Sequence, residues 1–230
     1  NPIGVGEATV LTFPQFLRQC GLNLTEWFKE VDGTYKAGID FPGWRNPKGS
    51  VWHPFYLNRS YFDKACTQYD VWAQKQDLDF KQAALPTYNT TMNNKLDMWG
   101  AFETLAYHID AGKLVQALQK HCQGKVKVIK SDVVGVNKDS NGDVVSLDLK
   151  NGHTHTSDFY NDCTGFSSIL KKSKRVELLG NGRLFTNTAV AGHIPYEDVE
   201  KERVPYVSCP AVDHGWIWKI PTQSRFGSGM

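Results

Sequence analysis

The pattern of apolar and polar positions divides the chain into a helical beginning, an alternating middle and an aromatic end. Residues 14–31 (PQFLRQCGLNLTEWFKEV) predict two short helices. Gly21 ends the first, and Asn23 followed three residues later by Glu26 signals the start of the second. TYKAGIDF at 34–41 alternates well enough for one strand. Residues 42–60, rich in Gly, Pro, Asn and aromatics, predict a loop; 61–83 carry a helical mixture, and 84–100 return to loop. Asp110 caps a predicted amphipathic helix over 111–122, in which Leu114, Leu118 and Cys122 recur every four residues.

The most legible β region follows. KVKVI at 125–129 and DVVGVN at 132–137 predict strands, and Asp139-Ser-Asn-Gly142 turns the chain into DVVSLDL at 143–149. Asn151-Gly152 is a second hairpin turn, leading to HTHTSDF at 153–159. This antiparallel meander feeds FYNDCTGF at 159–166, a predicted strand entering a small-residue turn. Residues 184–220 predict strands with loops. In WIWKIPTQSRFGSG (216–229), alternation puts Trp216, Trp218 and Ile220 on one strand face and Ile217 and Lys219 on the other. Helices and strands are mixed, so the class is α/β or α+β.

Composition narrows the setting. The chain has 230 residues, enough for one large domain or two small ones. Apolar residues make up 40%, charged residues 22%, and the net charge is +2, which leaves no nucleic-acid footprint. KKSKR at 171–175 is the densest basic run and reads as a solvated turn. No apolar run approaches the roughly 20 residues of a membrane span, and no signal-peptide pattern opens the chain. Cys20, Cys66, Cys122, Cys163 and Cys209 are odd in number and widely spaced, which argues against a disulfide framework and a zinc site and for the cytoplasm. His153 and His155 could share a strand face but lack a third ligand, so no metal is expected. The chain opens at Asn1-Pro2 without a methionine and stops at FGSGM directly after a patterned segment, so a piece of a larger protein is expected.

Four motifs carry candidate chemistry, and each has a plain structural reading beside the chemical one. In IGVGEAT (3–9), Gly4 and Gly6 permit close approach of backbone to a ligand, or simply make a turn. NDCTGF (161–166) is a small-residue turn able to offer backbone N–H groups to a cofactor, or an ordinary turn. Lys36 within TYKAGIDF is either an exposed strand lysine or an inward amine whose pKa burial would lower. In VWHPFY (51–56), Trp52, His53 and Phe55 make either a loop anchor or a wall for a flat aromatic ring.

Taken in order, IGVGEAT, YKAGIDF, WHPF, AYHIDA (106–111), DCTGF and GWIWKIP with RFGSG resemble the flavin-dependent halogenases, the family of the tryptophan halogenases, from residue 3 to residue 229. GWIWKIP matches that family's WxWxIP signature. The resemblance implies a fold like the FAD-dependent monooxygenases, a Rossmann-type flavoprotein with an antiparallel β meander and a substrate-side region. It implies that residues 1–230 form one halogenase domain without the N-terminal GxGxxG element and the C-terminal part. The implied chemistry uses FADH2, O2 and a halide ion to make hypohalous acid, which Lys36 receives for electrophilic halogenation of an aromatic substrate of indole or phenol type. Gly6, Glu7, Ala8, Thr9, Val133, Asp162 and Gly165 are the implied flavin contacts, and His53 and Phe55 the implied substrate contacts. Trp216, Trp218 and Pro221 are the implied active-site wall. A separate flavin reductase is the implied partner, without nucleic acid or membrane, and a homo-oligomer is left open. A flavin monooxygenase that hydroxylates its substrate, a non-catalytic aromatic-rich binding module, and a degenerate fragment without function are the rival readings.

Overall fold

In a computed structural model of the chain, residues 6–55, 86–96, 105–171 and 188–230 are described. Ile3, Gly4 and Val5, Tyr56, the predicted helical mixture at 61–83, Cys66 and most of the basic run lie outside the described residues. The chain forms two compact units, Asn1–Gln123 with Thr188–Met230, and Gly124–Asn187.

The first unit opens with an edge strand, β1 (Glu7–Ala8), then the two predicted helices, α1 (Phe13–Gln19) and α2 (Leu24–Glu30). Pro14 occupies the first turn of α1, where its missing N–H costs nothing. The Asn23 side chain caps α2 by accepting from the Thr25 amide. The predicted strand at 34–41 is two strands. β2 (Thr34–Lys36) ends at Lys36, and β3 (Gly38–Pro42) belongs to a different sheet. At the break, the Ala37 amide donates to the Pro205 carbonyl and its own carbonyl accepts from Phe55. Lys36 is therefore the last residue before the chain changes sheets.

Two predicted loops contain regular structure. Residues 50–54 form β4 (Ser50–Pro54), paired with β3 over all five positions from Gly38↔Pro54 to Pro42↔Ser50. Pairing and burial of Trp52 outweigh a loop-like composition. Residues 86–92 form α3 (Pro86–Met92), opening with a proline at its first helical position. β5 (Ala106–Ile109) then leads into the expected amphipathic helix, α4 (Ala111–Cys122), whose cap Asp110 accepts from the Lys113 amide at 2.9 Å.

β1, β5 and β2 form a three-stranded antiparallel sheet in that order. Opposed residues share a face. Tyr35, Tyr107 and Ile109 therefore lie together, packed on Leu17, Leu24, Trp27, Val31 and Ala117 of the helices and their connections. Ring centroids of Phe28–Tyr107 and Phe28–Tyr35 are 5.0 Å apart. Each fully buried large side chain in this cluster contributes roughly 1.5–3 kcal/mol by area removed from water. The other face carries Ala8, Thr34, Lys36, Ala106 and His108.

The second sheet of this unit has the order β4-β3-β10-β13-β14-β9. Its later strands are β9 (Ala191–Pro195), β10 (Val207–Ser208), β13 (Trp218–Pro221) and β14 (Arg225–Gly229). A small hairpin, β11 (Ala211–Val212) with β12 (Gly215–Trp216), stands beside it in sequence. Val207, Cys209 and Ile220 form a buried cluster against which Ala8, Ile39, Phe41 and Trp218 pack.

The second unit is the predicted meander: β6 (Val133–Lys138), β7 (Val144–Leu149) and β8 (Thr154–His155), antiparallel in that order. Asp139 Oδ1 accepts from the Asn141 and Asp143 amides and closes the first turn. KVKVI at 125–129 is not a strand. It is exposed and joins no β-ladder among the described strands, and alternation without a ladder does not make a sheet. FYNDCTGF is not a strand either. The Asp162 carboxylate accepts from Thr164 N, Thr164 Oγ1 and Leu170 N, so side-chain bonds displace the ladder. Residues 165–167 form a 3-10 turn.

One polar cluster in the first unit joins the segment before β2 to the turn after β13. Asp32, buried and left-handed at φ +59°, accepts from Thr222 Oγ1 and Ser224 Oγ at 2.6 Å each. Its carbonyl accepts from the Gln223 amide, and Gln223 Nε2 donates to the Gly33 carbonyl. Lys113 Nζ lies 3.4 Å from Asp32 Oδ1, and Arg225 pairs with Asp110. Burial alone would raise the Asp32 pKa. The hydrogen bonds from Ser224 and Thr222, with the charge of Lys113, outweigh it and hold the carboxyl below its usual range. A depressed carboxyl stabilises the fold above its unfolded pKa, about 3.9, and that contribution is lost as pH falls through the lower folded value. Asp32→Asn should therefore cost about 2 kcal/mol in urea denaturation at pH 7 and progressively less below about pH 4. An equal deficit at pH 7 and pH 3 would show that the charge of Asp32 does not hold this junction.

Candidate functional site

Lys36 faces inward. It is 4% exposed. Its Nζ donates to the Thr9 carbonyl at 3.2 Å and lies 4.3 Å from the centre of the Phe55 ring. A cation over an aromatic face gains about 0.5–2 kcal/mol, which favours the ammonium. Burial opposes it and wins, pushing the lysine down from 10.5 to about 8. About a tenth of a group with pKa 8 is neutral at pH 7, some two hundred times the fraction for an ordinary lysine. Cys209 is the converse case, its thiol pushed up to about 11 by burial, hence uncharged and unreactive.

The other residues singled out by sequence fall into several groups. Phe55 follows β4, and its amide donates to the carbonyl of Ala37, next to Lys36. His53, exposed on β4, meets Phe55 edge-on with ring centroids 5.6 Å apart. Lys36, Phe55 and His53 are thus brought together by a hairpin that the sequence hid in a loop. Thr9 is tied to β5 in both directions: its amide donates to the Tyr107 carbonyl, and its Oγ1 accepts from the Tyr107 amide. Glu7 is exposed, and partial desolvation raises its carboxyl pKa. Gly6 packs against Ile220 of the tryptophan-bearing strand, where an added Cβ would stand 3.4 Å from Ile220 Cγ2. Its φ of +130° suits glycine.

Trp216 and Trp218 are in different sheets, because the chain leaves β12 at Ile217, whose amide donates to the Pro210 carbonyl. Their rings are nevertheless adjacent, with centroids 5.4 Å apart at 54°. Trp218 is half-buried against the Cys209 and Ile220 cluster, and Trp216 is 37% exposed. Trp218 lies across Gly229, its strand partner. A Cβ there would approach Trp218 Cη2 to 2.6 Å, so only glycine leaves the ring its place. Pro221 is on the other face of β13 with Lys219, lining a 220 Å³ cavity that Tyr206, Ser208 and Phe226 share. Its carbonyl accepts from Thr34 Oγ1 at 2.5 Å.

In the second unit, Val133 is half-buried at the start of β6, while Asp162 and Gly165 are exposed. The Asp162 carboxylate is engaged within its own turn, which lowers its pKa, the Thr164 hydroxyl acting first. Among the described residues no group of three or more His, Cys, Asp or Glu could hold a metal ion, and no helix is long and apolar enough to cross a membrane.

Sequence reasoning assigned no role to His108. It is fully buried on the face that carries Lys36, and its Nδ1 is 2.9 Å from Thr34 Oγ1. Burial followed by the Lys36 charge pushes it down to about 3, against a smaller opposite pull from the Pro221 carbonyl. The only sequence signal is a histidine among apolar residues in AYHIDA, which reads equally as a packed core histidine.

The family model for tryptophan halogenases matches residues 1–230. Tryptophan 6-halogenase ThaL of Streptomyces albogriseolus is 32% identical over 99% of this chain and 48% of its own length. The chain spans about half the length of the curated relatives it matches. The apo structure of VirX1 superposes with a TM-score of 0.84 at 29% identity, covering 99% of this chain and 48% of that one. A flavin-dependent halogenase from Xanthomonas campestris superposes with a TM-score of 0.79 at 25% identity, over 99% of this chain and 48% of that one. The likeness to flavin-dependent halogenases confirms the flavoprotein-like mixed fold.

Alanine ordinarily stabilises extended backbone relative to glycine. Gly229→Ala should do the opposite, lowering stability by about 1–3 kcal/mol in denaturant unfolding as Trp218 is displaced. A neutral or stabilising result would mean that the indole does not rest on Gly229.

Proposed function

The chain belongs to the tryptophan halogenase family, and from that membership we propose that the protein is a flavin-dependent halogenase acting on an aromatic substrate of indole or phenol type. The observation that carries this reading is Lys36, a buried amine that burial holds partly neutral beside the Phe55 ring, which in turn meets His53. A direct hydroxylase has no use for such an amine. Residues 1–230 are taken as part of one halogenase domain.

The family implies FAD and a halide ion. β1 is the outer strand of its sheet, so backbone groups on its free edge have no partner within that sheet. That edge suits the donors and acceptors along a flavin ring, and Gly6, Glu7, Ala8 and Thr9 are the proposed contacts. Val133, Asp162 and Gly165 are further proposed contacts from the resemblance; with the Asp162 carboxylate engaged in its turn, backbone N–H groups are the better donors there. Reduced FAD supplies the electrons with which O2 oxidises halide to hypohalous acid, and a separate reductase would supply the reduced flavin.

The chain's own residues do the rest. The Lys36 ammonium hydrogen-bonds the hypohalous oxygen and makes the halogen more electrophilic. Alternatively, the neutral amine takes the halogen, giving R–NHX and water. In both cases an aromatic carbon attacks the halogen, loses its proton and leaves the lysine as it began. His53 and Phe55 hold the substrate ring with one carbon towards Lys36, so position sets regioselectivity. Trp216 and Trp218 keep water and substrate from the flavin side, while Pro221, on the other face of β13, backs this wall rather than facing the same space.

The test uses the full chain with FAD, a reductase, O2, and chloride or bromide over a panel of indoles and phenols. Halogenated product should appear only with halide. Lys36→Ala should lower its formation about a thousandfold while flavin reoxidation stays within about twofold. Halogenation at the native rate by that variant, or hydroxylated product without halide, would overturn the reading.

A further inference from the structure

Thr34 opposes His108, and Lys36 opposes Ala106, so Thr34, Lys36 and His108 emerge on one face of the three-stranded sheet. Thr34 Oγ1 lies between two partners, His108 Nδ1 at 2.9 Å and the Pro221 carbonyl oxygen at 2.5 Å. A hydroxyl has a single proton, and a carbonyl can only accept. The proton therefore goes to Pro221. The same hydroxyl oxygen can then only accept from His108, so Nδ1 carries the imidazole's proton; the Pro221 carbonyl, which also acts on the ring directly, favours the same N–H. A neutral imidazole has one N–H, which leaves Nε2 a bare lone pair. Nε2 has no hydrogen-bond partner among the described residues, although it is completely buried. Unpaired buried acceptors are rare and costly.

We propose that Thr34 sets the tautomer of His108, and that the bare Nε2 left on the lysine-bearing face makes His108 a positioning residue for the Lys36 amine. A lone pair is the negative end of the ring's dipole and favours a proton on Lys36. The other tautomer would present N–H, the positive end, and disfavour it. His108 tempers the effect of burial in this way and sets the balance of ammonium and amine. The other groups around Lys36 are Cys209 after β10, uncharged, the Phe55 ring and the Thr9 carbonyl; Asp40 of β3 acts on Cys209. The link between Thr34 and Pro221 also means that the end of the tryptophan-bearing strand specifies the state of a histidine beside the lysine.

The consequence for halogenation rests on Lys36 as the working amine, but the test needs neither flavin nor halide. Nitrogen-15 NMR of histidine-labelled protein should show His108 protonated at Nδ1 and bare at Nε2. Thr34→Ser should keep that state, and Thr34→Val should reverse it. A pH titration of the Lys36 Nζ signal should give a midpoint about half a unit lower in Thr34→Val, a threefold change in the ammonium-to-amine ratio, and the native midpoint in Thr34→Ser. His108→Asn keeps a donor near the Nδ1 position and deletes Nε2, so it should lower the midpoint similarly even if Thr34→Val does not fold. A native His108 protonated at Nε2, a Thr34→Val protein that keeps Nδ1–H, or a Lys36 midpoint unmoved by His108→Asn would each overturn the proposal. If the shifts appear but the full chain forms no halogenated product, the functional reading fails and the role of His108 stands.

Discussion

The clamp between residues 32–34 and the turn 221–225 is the interaction on which the rest of the first unit depends. The two segments are about 190 residues apart in sequence, as the Thr222–Asp32 bond shows. Neither is regular structure along most of its length, so neither could find its place by strand pairing alone. Asp32 gathers Thr222, Ser224 and Lys113, while Thr34 takes Pro221 and Gln223 takes Gly33. A fully satisfied polar cluster has few alternative arrangements, because any slip leaves a buried charge unpaired at a cost of several kcal/mol. Lys36 is two residues beyond Thr34 and Trp218 three before Pro221, so the clamp fixes both.

This placement is costly. Below about pH 8, a buried ammonium destabilises the fold, and the cost falls as pH rises towards the unfolded lysine's 10.5, since only the unfolded chain then holds the proton. The cation–π contact with Phe55 and one carbonyl offset part of it. What is gained is an amine partly neutral at ordinary pH, held rigidly where a sheet ends. An exposed lysine would have neither property, because water would stabilise its charge and rotamer freedom would spread its nitrogen over several ångströms.

Local chemistry was legible where it acts locally. The helices over 13–30, the Asp110 cap and both hairpin turns of the meander follow from capping and turn residues within a few positions of each other. Tertiary pairing was not legible. Residues 50–54 look like a loop until β3 is set beside them, KVKVI looks like a strand but joins none of the described sheets, and TYKAGIDF conceals a change of sheet at Ala37. The candidate residues were nearly all visible through the resemblance, yet their relations were not. That Phe55 covers Lys36 follows from the β3–β4 hairpin, and Pro221 turns its ring away from Trp218 because strand alternation puts it there. His108 gave no usable signal, since its meaning comes from a threonine 74 residues away and a carbonyl at the far end of the chain.

The central claim is that this clamped junction holds Lys36 as a dry amine. The most direct measurement is the pH titration of its side-chain nitrogen by NMR in the otherwise native chain, assigned with a Lys36→Met variant. A midpoint near pH 8, well separated from the remaining lysines, is the predicted result. Titration together with exposed lysines near 10.4 would contradict the account, because it would place the amine in water.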